Sequence, residues 1–158
     1  MKIMIRPADA EDIEDIACFQ EDMALHTEGK RLDPDVIRSG VTRVLEDGAK
    51  GRYLVVDVDG HTVGSLLLTL EWSDWRDGWF WWIQSVWIQE HHRRRGLYRA
   101  LHQEVRRQAR QASAEGEPVI GIRLYVEKDN QRAQRTYEAM GMSATDYLLY
   151  EEALSSGP

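Results

Sequence analysis

The chain has 158 residues, 42% of them hydrophobic and 30% charged, and a formal net charge of -7. That length and apolar content suit one globular domain with a full core. The acidic balance argues against nucleic-acid binding, which depends on neutralising many phosphates, and the single cysteine, Cys18, excludes an intramolecular disulfide and is expected to be a small buried hydrophobe. The opening Met-Lys-Ile-Met-Ile-Arg-Pro lacks the apolar stretch of a signal peptide. No run approaches the roughly 18 apolar residues of a membrane span. A cytoplasmic protein with no membrane partner is therefore expected.

In chain order, a short strand at Lys2–Arg6 precedes a helix near Asp9–His26 whose Ile13, Ile16, Ala17, Met23 and Ala24 share a face. Asp33-Pro34 reads as an N-cap with proline at the first helical position, opening a second helix that carries Ile37, Val41, Val44 and Leu45 and stops at Gly48. Tyr53–Val58 and His61–Trp72 flank Asp59-Gly60, a two-residue hairpin signal. After a loop at Trp72–Gly78, the β-branched and aromatic run Trp79–Gln89 reads as a strand. A helix near Arg94–Ala114 turns Leu97, Leu101, Val105, Ala109 and Ala112 inward and ends at Gly116-Glu-Pro118. Val119–Glu127 reads as a strand, Asn130–Met140 as a short helix ended by Gly141, and Ala144–Glu152 as a last strand. The order βααβββαβαβ implies an α/β fold: one domain over 1–154, with a mixed, mostly antiparallel sheet, helices on both faces and a disordered tail at 155–158.

The densest chemical signal is His91-His-Arg-Arg-Arg-Gly-Leu-Tyr98, a cationic turn between a strand and an amphipathic helix. The first backbone N–H groups of a helix lack intrahelical partners, and the aligned peptide dipoles favour negative charge there. Arginines add charge-assisted donors. The turn thus suits a phosphate-bearing ligand, whereas Arg106, Arg107 and Arg110 read as a solvated helix face. The histidines lack metal-ligand spacing, so no metal is expected.

Arg93-Arg-Arg-Gly96-Leu-Tyr98 after a strand, followed by Leu124-Tyr-Val-Glu-Lys-Asp-Asn130-Gln-Arg-Ala133-Gln-Arg-Thr-Tyr137-Glu-Ala-Met-Gly141-Met142, resembles the two motifs of the GNAT superfamily of acetyl-coenzyme A-dependent N-acyltransferases. The resemblance covers nearly the whole chain. Tyr98 departs from it, standing where a small residue is usual. The resemblance implies that backbone N–H groups of Arg94, Arg95, Gly96, Leu97 and Tyr98 bind the coenzyme A pyrophosphate, with Arg93 gripping the start of the loop. It further implies that Val86 and Ile88 offer main-chain groups to the pantetheine arm, and that Asn130 and Ala133 contact the cofactor. It places the Tyr137 hydroxyl near the thioester sulfur, where a phenol can act as general acid toward the departing thiolate. The residues also allow plainer roles: Asn130 as a helix N-cap, and Tyr137 as packing with its hydroxyl bonded.

An alkylamine, with a pKa of about 10.4, must lose a proton to attack. Many relatives carry a glutamate on the strand before the loop, but the matching position is Gln84, which is no base. Glu71, and after it Asp74, are the nearest carboxylates by sequence, acting through ordered water. Trp72, Trp75, Trp79, Trp81 and Trp82 crowd one short stretch with Asp74, Arg76 and Asp77. Trp72, Asp74, Trp75, Trp82 and Gln84 could bind a cationic amine through aromatic faces and carboxylates. The same tryptophans suit core packing or a dimer contact, with Trp79 and Trp81 on one strand face and Trp82 on the other.

The resulting expectation is a homodimeric acetyltransferase that passes the acetyl group of acetyl-coenzyme A to a primary amine on a small molecule or peptide. Attack is direct, in a ternary complex, with a main-chain N–H near Val86 stabilising the oxyanion. Acetylation of a protein N-terminus or lysine, a longer acyl donor, and a noncatalytic acyl-coenzyme A sensor remain alternatives; a basic-helix RNA-binding module is a more distant one.

Overall fold

The computed structural model describes residues 1–155 and divides into two compact units, Met1–Tyr125 and the segment from Val126 onward. The first unit contains β1 (Ile3–Pro7), α1 (Ile13–Glu28), α2 (Pro34–Glu46), β2 (Arg52–Val58), β3 (His61–Ser73), β4 (Gly78–Ile88), α3 (Leu97–Ala114) and β5 (Val119–Leu124). The strands form one sheet in the order β1-β2-β3-β4-β5, antiparallel except for the parallel β4–β5 pair. The mixed, mostly antiparallel sheet and the helix order agree with the sequence reading as far as the fourth helix.

Local chemistry accounts for the boundaries. Asp59 (φ 51°) and Gly60 (φ 85°) are both left-handed, as a two-residue hairpin between right-twisted strands requires. Asp33 accepts hydrogen bonds from the Asp35 and Val36 N–H groups at 2.9 and 3.3 Å, capping α2 ahead of Pro34. Ahead of α1, Asp9 and Asp12 cap a 3-10 turn at Ala10–Asp12 reciprocally.

Strand alternation then divides the sheet into two faces. Leu54, Val56, Leu66, Leu68, Trp81 and Ile83 pack with Leu97, Leu101 and Val105 on the α3 side. Tyr53, Val55 and Leu67 pack with Ile16 and Val41 on the side of α1 and α2. Cys18 is exposed, not buried as expected. The buried residues of α1 are Ile16, Ala17, Phe19, Gln20 and Ala24, and position 18 turns about 200° from 16, toward solvent. Partial burial and the carboxylates of Asp22, Glu21 and Asp15 push its thiol pKa up, which disfavours the reactive thiolate.

A buried ionic cluster locks β1 to its neighbours. Arg6 donates to Asp12 at 2.8 and 2.9 Å and to Asp57 at 2.8 Å, and Thr62 donates to Asp57 at 2.9 Å. Burial pushes the Asp12 carboxyl up, but hydrogen bonds from Arg6 and the Asp9 N–H, with the Arg6 charge, outweigh it and lower its pKa.

The second unit contains α4 (Gln131–Ala139). The strand expected at Ala144–Glu152 is not formed among the described residues, and Tyr147, Leu148, Leu149 and Tyr150 are all exposed. Apolar side chains suit a strand, but its N–H and C=O groups must find a partner ladder, which residue type alone does not supply. The tail expected at 155–158 lies, beyond residue 155, outside the described residues. Among the described residues no helix is long and apolar enough to cross a membrane.

Candidate active site

The β4–β5 ladder runs from Trp79 opposite Val119 to Ile83 opposite Leu124 and stops, while β4 continues to Ile88. The pair therefore forks at its carboxyl end, the usual ligand side of parallel strands. Along 84–88 one edge of the β4 main chain has no strand partner among the described residues. An extended arm can pair there as a strand would. Gln84 is the extra residue of a β-bulge, since Leu67 pairs with Ser85 and Leu68 with Ile83.

The arginine turn follows directly. Arg93 Nε donates to the Ile88 carbonyl at 2.8 Å, and its guanidinium lies 4.2 Å over the Trp87 ring. Trp87 in turn meets His26 of α1 edge-on at 5.7 Å. Arg93 thus ties the loop to the strand, whereas Arg94 and Arg95 are exposed. Arg94 (φ 59°) and Gly96 (φ 78°) are left-handed. At Gly96 an added Cβ would meet nothing within 4 Å, so the requirement there is conformational.

Gly96 in the left-handed region ahead of helical Leu97 is the backbone arrangement that aims successive N–H groups into one concavity. No side chain caps α3 and no acidic residue occupies its first turn. These features fit a diphosphate. Leu97 can serve only through its main chain, because its side chain is buried in the core. The half-buried Tyr98 ring lies 6.3 Å from His102 one turn later. His102 is 2% exposed, with no hydrogen-bond partner for Nε2. Burial, then the Arg106 charge, lowers its pKa.

On the opposite sheet face, the side of α1 and α2, lies a cluster that the sequence reading only partly anticipated. Arg123 Nη1 donates to Glu71 Oε1 at 2.7 Å, and the Trp82 indole N–H donates to the same oxygen at 3.3 Å. The Arg123 guanidinium lies 3.4 Å over the Phe80 ring and 5.9 Å from the Trp82 ring centroid. Trp82 stacks on Tyr125 at 4.6 Å with a 31° tilt. The Gln84 amide donates to Thr69 Oγ1 at 2.8 Å, and buried Gln20 donates to Ser85 Oγ at 3.1 Å. Phe80, Arg123, Tyr125, Gln20 and Ser85 were missed. Phe80 alternates with Trp82 and Gln84 along β4 and could have been found by period; Arg123 joins them only through the parallel register.

The five residues expected to contact the amine are not all brought together. Trp82 and Gln84 share the face of Glu71. Trp72 packs edge-on against Trp79 at 4.9 Å on the α3 side. Asp74 accepts from the Trp75 N–H in the β3–β4 turn, and Trp75 is 85% exposed. Six residues of extended chain separate the start of β4 from Gln84, about 20 Å.

Within the second unit, Asn130 Oδ1 accepts from the Ala133 N–H at 3.1 Å, the N-cap role read from sequence. Tyr137 lies two turns on, half-buried, in the last part of α4. Among the described residues no group of three or more His, Cys, Asp or Glu is placed to hold a metal ion.

The family model described as the acetyltransferase (GNAT) family matches residues 13–142. Among solved structures, a possible acetyltransferase from Clostridium difficile 630 is 41% identical, with a TM-score of 0.89 over 98% of this chain and 99% of its own. An aminoglycoside N-acetyltransferase in complex with CoA shares the fold at 13% identity and TM-score 0.77, over 98% of this chain and 96% of its own. A ribosomal-protein-alanine N-acetyltransferase from Brucella melitensis biovar Abortus 2308 does so at 17% and 0.74, over 97% and 100%. A search of the curated proteins returned no match.

Proposed function

The chain belongs to the acetyltransferase (GNAT) family and is an acyltransferase, and from that premise we propose that it transfers the acetyl group of acetyl-coenzyme A to a primary amine by direct attack in a ternary complex. The observation that carries this reading is the β4–β5 fork opening beside an uncapped, arginine-flanked helix N-terminus. The donor supplies an activated thioester. N–H groups from Arg94 to Tyr98 take its diphosphate, Arg94 and Arg95 add charge, and Arg93 holds the loop against β4. Val86 and Ile88 pair with the pantetheine arm along the open edge, and the main-chain N–H near Val86 faces the carbonyl oxygen. By resemblance to the family motif, Asn130 and Ala133 contact the cofactor, Asn130 through its amide N–H because its oxygen is already bonded to the Ala133 N–H.

The amine nitrogen bonds to the carbonyl carbon and the carbon–sulfur bond breaks. Tyr137 gives its proton to the leaving thiolate, and Glu71 receives the amine proton through water. The fold is shared by enzymes named for a small-molecule acceptor and for a protein acceptor, so the choice of a small-molecule or peptide amine rests on the site itself.

We take 1–154 as one catalytic domain, on the family match that runs across most of it. A homodimer is supported by the exposed Trp75 and by the exposed apolar run Tyr147–Tyr150. A cytoplasmic location is supported by the single cysteine.

Thiol release from acetyl-coenzyme A, followed with a panel of amines, tests the reading. Binding of the donor without turnover of any amine or peptide would instead make the protein an acyl-coenzyme A sensor, the alternative that neutral Gln84 favours. Absence of donor binding would refute both.

A further inference from the structure

Trp82 and Tyr125 flank the apex of the fork, Trp82 in the last paired stretch one residue before Ile83 and Tyr125 one residue beyond Leu124, and their rings meet at 4.6 Å. The arginine loop leads into α3, and the body of α3 covers one face of the sheet. An amine approaching a thioester at the apex must therefore come from the other face, where Trp82, Phe80, Arg123, Glu71 and Gln84 lie.

The charge on this face narrows what can bind. The Glu71 carboxylate oxygen Oε1 already takes both Arg123 and the Trp82 indole N–H. Gln84 is neutral and bonded to Thr69. The π-faces that could hold an ammonium group already hold cations, with Arg123 3.4 Å and Arg76 5.3 Å from the Phe80 ring, and Arg123 5.9 Å from that of Trp82. A second cation would meet like charge where a polycation needs carboxylates. What the face does offer is aromatic surface: Tyr125 is 52% exposed, and Trp82 is held in orientation by its bond to Glu71.

Resting on the acetyltransferase reading, we propose that the acceptor is an aryl-bearing primary amine with no second positive charge, its ring stacked on the Trp82–Tyr125 pair. The Arg123–Glu71 pair acts as the positioning element that fixes the Trp82 indole and repels polycations.

The test uses the full chain with saturating acetyl-coenzyme A and three acceptors: 2-phenylethylamine, propylamine and the polycation spermidine. Wild type is expected to show its highest kcat/KM with 2-phenylethylamine and its lowest with spermidine. Tyr125→Ala, a change at an exposed position, should narrow the preference for phenylethylamine over propylamine about two- to tenfold, the worth of one aromatic pair. Arg123→Gln should narrow both the discrimination against spermidine and the aryl preference, whereas Arg123→Lys should restore only the discrimination, because lysine keeps the charge but not the planar stack. Spermidine as the best acceptor, no acetylation of 2-phenylethylamine, or an unchanged preference in Tyr125→Ala would overturn the proposal. Donor binding by calorimetry is read separately: loss of that binding sinks the acetyltransferase reading itself, while intact binding with the wrong acceptor order sinks only the aryl assignment.

Discussion

Gly96→Gln separates the proposed phosphate-binding role of the arginine loop from its contribution to stability. Gly96 sits at φ 78°, where an L-residue costs about 1–2 kcal/mol, and no protein atom lies within 4 Å of the Cβ it would gain. For a chain of this size each kcal/mol moves the melting temperature by about 2–4 °C, so the variant should melt about 2–8 °C lower without donor. The new side chain occupies the open space beside the first N–H groups of α3 and obstructs an incoming diphosphate. At a concentration 100 times its Kd, a ligand that binds only the folded state adds about 2.7 kcal/mol, so acetyl-coenzyme A should raise the wild-type melting temperature by about 5–11 °C. The variant should show almost none of that rise. Calorimetry is expected to give a micromolar-range Kd for wild type and no measurable heat of binding for the variant. Unchanged binding in Gly96→Gln would show that the diphosphate lies elsewhere.

Tyr137→Phe should lower kcat by about 10²–10⁴-fold, nearer the low end because a thiolate leaves readily, with donor affinity unchanged in calorimetry. Full activity and an unchanged melting point would return Tyr137 to packing. Trp75→Ala, at an exposed turn about 20 Å along β4 from the fork, should leave the amine KM within twofold and shift the proposed dimer toward monomer in sedimentation. In melting curves across pH, stability should fall as pH drops below about 6.5, because the unfolded chain protonates His102 while the folded core resists it; His102→Leu should remove that step. A second loss should begin near the ordinary aspartate pKa of about 3.9 and grow as pH falls through the lowered folded value of Asp12. Asp12→Asn should be less stable at neutral pH and should lack much of that second loss.

Where the relevant chemistry lies within a few residues of chain, the sequence was legible. Asp33-Pro34, Asp59-Gly60 and Asn130 mark their caps and turn because each satisfies or frees neighbouring backbone groups. The left-handed turn at Gly96 after three arginines was legible because backbone freedom and side-chain charge are both properties of residue type. The inward stripe of α3, from Leu97 to Ala109, follows from a 3.6-residue period.

Decisions between distant residues were not legible. Glu71 reads as a solvated carboxylate or a base, but the parallel register of β5 brings Arg123 against it. Trp72 and Trp82 look alike in a tryptophan-rich stretch, yet pairing and strand alternation send them to opposite faces. Arg93 is expected to grip the start of the loop, but only the fold shows what it grips: the Ile88 carbonyl and the face of Trp87, which packs beside α1. The segment Ala144–Glu152 has the side chains of a strand and lacks a ladder. Propensity is local, whereas a hydrogen-bonded partner, a sheet face and an ion pair are each fixed only when residues far apart in sequence meet in the fold.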